Sequence, residues 1–256
     1  DSTYILPSAG KPMLVLFDKD DWILKEVHYS NRSLEEWEYQ AESGHDVVAR
    51  RTAASQLALL DSAGNTLSVL CRIAQHDPFW GVRRAAVEAL GAVKTITGEK
   101  TSALIDAVLH DPDAKVRASA ASQLGTCPSP EVSAALRQAL NDSSYATEAH
   151  ALSSLAKVDS SLALPFIQAR LNSASYRNQV ANAALNALAG IDSATAVGIA
   201  LQKVRYGETP DGRNTAMTIL TKYGKDRDDV KAVMETLRND KNGFIKRRAA
   251  AFFSKK

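Results

Sequence analysis

The stretch that decides the fold is "DPDAKVRASAASQLG", residues 111–125, which has a divergent copy in "DPFWGVRRAAVEALG", residues 77–91. Each copy begins with Asp-Pro, continues with Val-Arg and ends in an alanine-rich run that closes on Leu-Gly. In the first copy, Val116, Ala120 and Leu124 recur at helical spacing and therefore form one apolar stripe. The repetition of a whole amphipathic helix predicts a helical-repeat protein.

The same helix recurs along most of the chain. The copies are "ARRTAASQL" (49–57), "VRRAAVEAL" (82–90), "VRASAASQL" (116–124), "TEAHALSSL" (147–155), "VANAALNAL" (180–188), "GRNTAMTIL" (212–220) and the truncated "KRRAAAFF" (246–253). The closing leucines are separated by 33, 34, 31, 33 and 32 residues, and a second helical segment precedes each copy. Such a period is typical of α-solenoids. We therefore predict an all-α fold, a right-handed α-solenoid of about seven helical hairpins over residues 32–256.

Residues 1–31 have a different pattern. The segments "MLVLFD" (13–18) and "WILKEVHY" (22–29) are rich in β-branched and aromatic residues, and the turn-like "KDD" separates them. This pattern predicts a β-hairpin. Because an isolated hairpin is marginally stable in water, it either packs on the helices or belongs to a larger sheet. We therefore divide the chain into a β-hairpin, 1–31, and a solenoid, 32–256.

Composition is typical of a folded globular protein, with 45% apolar and 23% charged residues. The net charge of +2 is too small to favour a nucleic-acid or membrane partner, and no apolar stretch approaches the roughly 20 residues of a membrane span. Cys71 and Cys127 lie in different repeats without CxxC spacing, so we expect two buried free thiols. Position 1 is Asp rather than Met, from which we expect a processed product or a fragment.

Aspartates and arginines recur at fixed places in the repeats. We expect Asp77 and Asp111 to cap the second helix of their hairpins, with the prolines that follow them in its first turn. The arginines lie beside the apolar stripe, where they reach the turn of an adjacent repeat. The predicted ladder of contacts consists of Asp77, Arg83, Asp111, Arg117, Arg213 and Arg247. An anion-binding track along the same arginines stays open. Glu148 and Ala181 interrupt the column, so we expect the ladder to break and packing to loosen there.

A second column lies one residue further on and turns away from the stripe. In a solenoid of helical hairpins the second helices usually line the concave face, so this column is the candidate binding surface. Its predicted members are Arg51, Arg84, Glu88, His150, Asn182, Asn186, Asn214 and Arg248. The alternative is a row of solvated polar residues. Small neutral side chains in its middle argue against a nucleic-acid groove, which requires Lys or Arg throughout together with stacking aromatics.

The chain has no recognisable catalytic motif. Its five histidines never form HExxH or a zinc-ligand spacing, and GxSxG, P-loop and GxGxxG patterns are absent from the sequence. We therefore predict that this chain alone is not an enzyme and holds neither a metal nor a cofactor.

The Asp-Pro, Val-Arg and Leu-Gly pairs of residues 77–91 and 111–125 resemble the HEAT-like repeat superfamily. That resemblance implies stacked helical hairpins. It does not imply one function, because such repeats serve in scaffolds, adaptors, lyases and enzyme appendages alike.

A second resemblance lies in residues 11–58, which look like a junction in aminopeptidase N-type zinc metallopeptidases. There a β-sandwich ends with a Phe-Asp and Leu-Lys strand pair, positions held here by Phe17-Asp18 and Leu24-Lys25. The resemblance implies upstream domains of the same polypeptide, with zinc held only there, by HExxH and a distant Glu. The helical repeats would then cap the catalytic cleft and restrict peptide entry.

The alternative hypothesis is a free-standing HEAT-like scaffold that binds a protein or peptide on its concave face. A finished solenoid needs a polar cap, yet its last helix ends with Phe252 and Phe253. These two side chains either complete the core of the last hairpin or dock on a partner.

Overall fold

The computed structural model describes residues 5, 7–16, 18, 22–24, 32–60, 66–205 and 208–254. These residues form fourteen α-helices and one 3-10 turn, Tyr176–Asn178, so the prediction of seven helical hairpins is confirmed. The helices are α1 Leu34–Ser43, α2 Val47–Leu60, α3 Leu67–His76, α4 Trp80–Ala92, α5 Gly98–His110, α6 Ala114–Leu124, α7 Pro130–Ala139, α8 Tyr145–Val158, α9 Ser160–Arg170, α10 Gln179–Ile191, α11 Ser193–Lys203, α12 Pro210–Tyr223, α13 Asp228–Leu237 and α14 Gly243–Ser254.

Local sequence explains where several of these helices begin. Ser33 and Glu36 form a capping box at α1, in which each side chain accepts a hydrogen bond from the other residue's backbone N–H. Ser129 caps α7 and is followed by Pro130 at the first helical position, where a missing N–H costs nothing. Asp159 caps α9 by accepting from the amide of Leu162. The hairpins are therefore bounded by ordinary capping chemistry.

The predicted caps at Asp77 and Asp111 are wrong. Both residues end the first helix of their hairpins instead, as the C-caps of α3 and α5. Their Oδ1 atoms accept from the amides of Phe79, at 2.9 Å, and Asp113, at 2.8 Å. A carboxylate bonded two residues ahead closes the inter-helix turn and leaves its second oxygen free for another partner.

By contact density the chain divides into two units, residues up to Gln123 and residues from Leu124. In unit 1, α2 packs on α1 and α4, and α3 packs on α4 and α5. Leu57, Leu70, Val82 and Leu90 are fully buried. Alanines such as Ala86 lie between the helices and let their backbones approach closely.

In unit 2, α8 packs on α7, α9 and α10, while α12 packs on α10, α11 and α14. Its core contains Leu152, Leu155, Leu185, Met217 and Leu220, all buried. As in unit 1, the buried positions follow the helical stripe predicted from the repeats.

The predicted β-hairpin is not seen. Residues 13–16, 18 and 22–24 contain no strand, and the rest of the segment 13–29 lies outside the described residues. Trp22 is 85% exposed and Leu24 is fully exposed, so these apolar side chains have no partner strand in the described part of the chain. The boundary at residue 32 stays a prediction.

Both cysteines are buried free thiols, as predicted. Burial, reinforced by the negative charge of Glu99, raises the pKa of Cys71 to about 11. Its thiol therefore stays protonated at neutral pH and behaves as a small apolar side chain.

Candidate functional site

Arginines at the start of the second helices tie consecutive turns together in unit 1. Arg50 donates from Nε to Oδ2 of Asp77 at 2.7 Å and from Nη1 to the carbonyl of Gly44 at 3.0 Å. Arg83 donates from Nε to Oδ2 of Asp111 at 2.7 Å and from Nη1 to the carbonyl of Asp77 at 2.9 Å. Each arginine thus bridges its own turn and the turn of the next hairpin. The hydrogen bond to Asp111 raises the pKa of Arg83.

Unit 2 contains a pair with the same chemistry. Arg213 of α12 donates from two guanidinium nitrogens to the carboxylate of Asp240 and from Nε to the carbonyl of Val204 at 2.8 Å. The side chains of Arg213 and Asp240 are only 5% and 7% exposed. The hydrogen bonds from Arg213 hold the pKa of Asp240 below its usual value.

The expected break at Glu148 is wrong, because the ion pair persists there with its charges exchanged. Arg170, in the last turn of α9, donates from Nε to Oε1 of Glu148 at 2.7 Å and from Nη2 to the carbonyl of Leu140 at 3.0 Å. Ala184 and Leu185 of the following helix are fully buried, so packing is not loosened. The sequence signal that was missed is a basic residue placed 22 positions after the acidic one.

Arg117 repeats the contacts that Arg83 makes within its own turn, whereas Arg247 leaves the ladder. Arg117 donates to the carbonyls of Asp111 and Pro112 in its own turn. Arg247 is exposed and off the ladder, because it lies seven residues after the turn aspartate, Asp240, rather than six. Lys246 lies six residues after Asp240, as Arg83 lies six after Asp77 and Arg117 six after Asp111.

The second column is charged in unit 1. Arg84 donates to Glu88 one helical turn away at 2.8 Å, and the hydroxyl of Ser119 donates to the same carboxylate at 3.4 Å. Arg51 is exposed to solvent. The exposed Arg84–Glu88 pair largely neutralises itself and contributes at most about 1 kcal/mol to stability.

The second column of unit 2 forms a cavity of about 490 Å³ across α8, α10 and α12. It brings together four residues predicted for the binding surface, His150, Asn182, Asn186 and Asn214. The remaining lining residues are Ala146, Ala149, Ser153, Arg177, Gln179, Ala183, Asp211 and Thr215. We name this cavity the asparagine groove. Sequence reasoning missed these eight, although most lie three or four residues from a predicted one, on the same helix face.

Arg248 borders the asparagine groove without lining it. Its Nη1 donates to the side-chain oxygen of Asn214, and both terminal nitrogens lie 3.2 Å from Oγ1 of Thr218. Partial burial lowers the pKa of Arg248, which nevertheless stays charged at neutral pH. This arginine fixes the orientation of the Asn214 amide.

Charges in the asparagine groove cancel at neutral pH. Arg177 donates to both carboxylate oxygens of Asp211, at 3.0 and 3.1 Å, and this contact lowers the pKa of Asp211. Loss of solvation, followed by the nearby charge of Lys157, lowers the pKa of His150, so its imidazole is neutral at pH 7. The groove therefore presents amides, hydroxyls and a neutral imidazole above small alanines.

A second cavity of about 570 Å³ extends the groove along α8 and α10. The two cavities share Ser153 and Asn186, and the second one continues to Lys157 and Ile191. The two cavities therefore form one continuous surface along α8 and α10.

Other kinds of site find no support in the described residues. Within the described ranges, no three His, Cys, Asp or Glu side chains cluster as metal ligands would. Of the fourteen helices described, none combines the length and apolar character needed to cross a membrane.

Comparison with known proteins identifies the repeats. The family model for HEAT repeats matches residues 101–189, about a third of the chain. No curated protein matches this sequence. Among solved structures, the complex of CpcE and CpcF of phycocyanin lyase from Nostoc sp. PCC7120 aligns with a TM-score of 0.58 and 21% identity, over 90% of this chain and 91% of that one. The Escherichia coli protein YIBA aligns with a TM-score of 0.55 and 16% identity, over 87% of this chain and 92% of that one.

These matches support the HEAT-like resemblance and give no support to the aminopeptidase N-type resemblance. At identities under 25% they establish the fold and leave the function open. The chain has an all-α fold of the solenoid class, built from HEAT-like helical hairpins.

Proposed function

We propose that this chain is a non-catalytic binding module whose asparagine groove holds a segment of a partner polypeptide. The observation that carries the proposal is the presence of Asn182, Asn186 and Asn214 in one open cavity formed by neighbouring helices. An asparagine amide offers a donor and an acceptor, the same pair that a peptide bond presents. Successive amides therefore suit the backbone of an extended polypeptide, whatever its side chains.

Other ligand classes suit the groove less well. Among the described residues that line it, Arg177 is the only cation and is paired with Asp211, and none is aromatic. Nucleic acids require unpaired cations and stacking surfaces. Small apolar ligands favour large hydrophobic and aromatic linings, whereas here the apolar floor consists of alanines.

The proposal predicts that Asn182→Ala combined with Asn186→Ala weakens peptide binding by about tenfold, because each lost hydrogen bond is worth about 0.5–1.5 kcal/mol. Random dodecapeptides displayed on phage would be selected on the wild-type protein, and their dissociation constants measured by fluorescence anisotropy. Alanine favours helices, so the double variant should fold normally.

A matched control is Asn141→Ala combined with Asn239→Ala, which removes two exposed amides of unit 2 outside the groove. The control should bind the selected peptides as the wild type does. Equal affinity of the groove variant and the wild type would show that the peptides bind elsewhere and would contradict the proposal.

A second candidate is the helical-repeat domain of an aminopeptidase N-like zinc peptidase. The observation that favours it is the exposure of Trp22, Ile23 and Leu24, beside the Phe17-Asp18 and Leu24-Lys25 motif. In this proposal an upstream β-sandwich covers these apolar side chains. It ranks second because no match to known proteins supports it.

Peptide mapping of the native protein, captured with an antibody against this chain, tests the second candidate. Peptides preceding Asp1 that contain HExxH would support a zinc peptidase. A native N-terminus at or near Asp1 would eliminate it.

A further inference from the structure

One side of α14 differs from the same side of every earlier second helix. The leucine that closes each of the first six repeats is at most 3% exposed; these residues are Leu57, Leu90, Leu124, Leu155, Leu188 and Leu220. Phe253 takes this position in the last repeat and is 43% exposed. The residue one turn earlier is buried in all six helices, whereas its counterpart Ala250 is exposed. Phe252, by contrast, is buried and completes the core of its own hairpin.

The basic residue at the ladder position of α14 also has no side-chain partner among the described residues. Lys246 occupies the place of Arg50, Arg83 and Arg213, seven residues before the closing position. Each of those arginines binds an aspartate in the turn of the following hairpin. Lys246 is exposed and has no side-chain hydrogen bond or ion pair within the described residues. Helix α14 carries three basic residues and no acidic one.

We infer that Lys246, Ala250 and Phe253 form a docking surface for one more helical hairpin, which is apolar on its packed side and has an aspartate in its inter-helix turn. The earlier repeats show what covers this side of a second helix: an apolar pair of helices whose turn supplies a carboxylate to the basic residue. The three residues occupy helix positions other than those lining the asparagine groove, so this inference stands apart from the proposed function.

A second copy of this chain fits the surface less well. In the second and third hairpins the C-cap of the first helix is an aspartate, Asp77 or Asp111. In the first hairpin the same position is occupied by Gly44. The turn of the first hairpin contains an aspartate two residues later, Asp46, whose Oδ1 already accepts from the amide of Ala49 at 2.6 Å.

The test appends a known hairpin to the full chain. A second copy of residues 224–254, which contains α13 and α14, would follow Lys256. This junction keeps the spacing of four residues between Leu220 and Gly224. We expect added helical ellipticity and a rise in the midpoint of thermal unfolding by roughly 5 °C or more, because repeats are stabilised by nearest-neighbour interfaces. The matched control carries Asp240→Asn in the appended copy only, and should lose about half of the rise.

Three results would overturn the inference. An extended chain without added helicity or without a higher midpoint would show that the surface does not accept a hairpin. An equal rise with Asp240→Asn would show that the carboxylate plays no part. Concentration-dependent dimers of the unextended chain in sedimentation, abolished by Phe253→Asp, would make a second copy the occupant.

Discussion

Replacement of Arg213 by methionine is expected to lower the free energy of unfolding by about 3–5 kcal/mol, the cost of breaking a buried ion pair by removing one partner. The substitution leaves the nearly buried carboxylate of Asp240 without its counterion and the carbonyl of Val204 without its donor. Methionine approximates the length of the lost side chain, so the effect measures lost polar contacts more than a cavity. Urea denaturation followed by circular dichroism at 222 nm checks this value.

Arg177→Met is the matched control for Arg213→Met. Arg177 also contacts both oxygens of one aspartate, Asp211, but the two side chains are 63% and 36% exposed. Solvent screening leaves such an exposed pair with little net effect on stability, so Arg177→Met should change the free energy of unfolding far less than Arg213→Met. Similar losses for the two variants would contradict the argument that burial decides the effect.

The pH dependence of the free energy of unfolding is a second test of the pair between Arg213 and Asp240. The folded-state pKa of Asp240 is lowered by Arg213, so its contribution to stability is complete above the unfolded pKa of about 3.9 and is lost as the pH falls through the lowered value. Asp240→Asn should therefore flatten the stability profile below about pH 4.

Glu148→Arg is expected to destabilise the protein by roughly 3 kcal/mol, because it places a second guanidinium against the partly buried Arg170 and removes its carboxylate partner. The double variant Glu148→Arg with Arg170→Glu restores opposite charges and gives the pair the polarity of the arginine–aspartate pairs. It should recover at least half of the lost stability in urea unfolding.

The double variant is the decisive comparison. If Glu148→Arg alone leaves the free energy of unfolding unchanged, the contact of Glu148 with Arg170 contributes nothing. If the double variant is as unstable as the single one, the carbonyl of Leu140 rather than the charge of Glu148 determines the role of Arg170.

Periodicity was sufficient to predict the helical hairpins, because a buried stripe with closing leucines depends only on residues within one helix. The turns were harder to predict. Whether Asp77 begins one helix or ends the previous one depends on which amide its carboxylate reaches, and both alternatives have the same local sequence. In the last hairpin Lys246, not Arg247, lies six residues after the turn aspartate, so counting from the turn places the ladder position on Lys246.

Four residues of the candidate site were predicted, because their position within each repeat is enough to place them on the same side of neighbouring helices. Asn182, Asn186 and Asn214 share one face by spacing, and the structure brings them into one cavity. The pair between Glu148 and Arg170 was not predicted, because its partners lie on different hairpins and reverse the usual order of charges. Pairing across hairpins depends on three-dimensional stacking, which a single sequence does not reveal.

The reversed pair has a consequence for how the hairpins find their places during folding. Repeats of similar sequence risk stacking on the wrong neighbour, a characteristic failure of repeat proteins. Where Arg50, Arg83 or Arg213 stands, any turn with an aspartate is an acceptable neighbour. Glu148 would repel such a turn and accepts only a hairpin that supplies an arginine, as Arg170 does. This one ion pair with reversed charges therefore favours the correct neighbour over the other hairpins of similar sequence, and so helps to fix the order in which the hairpins stack.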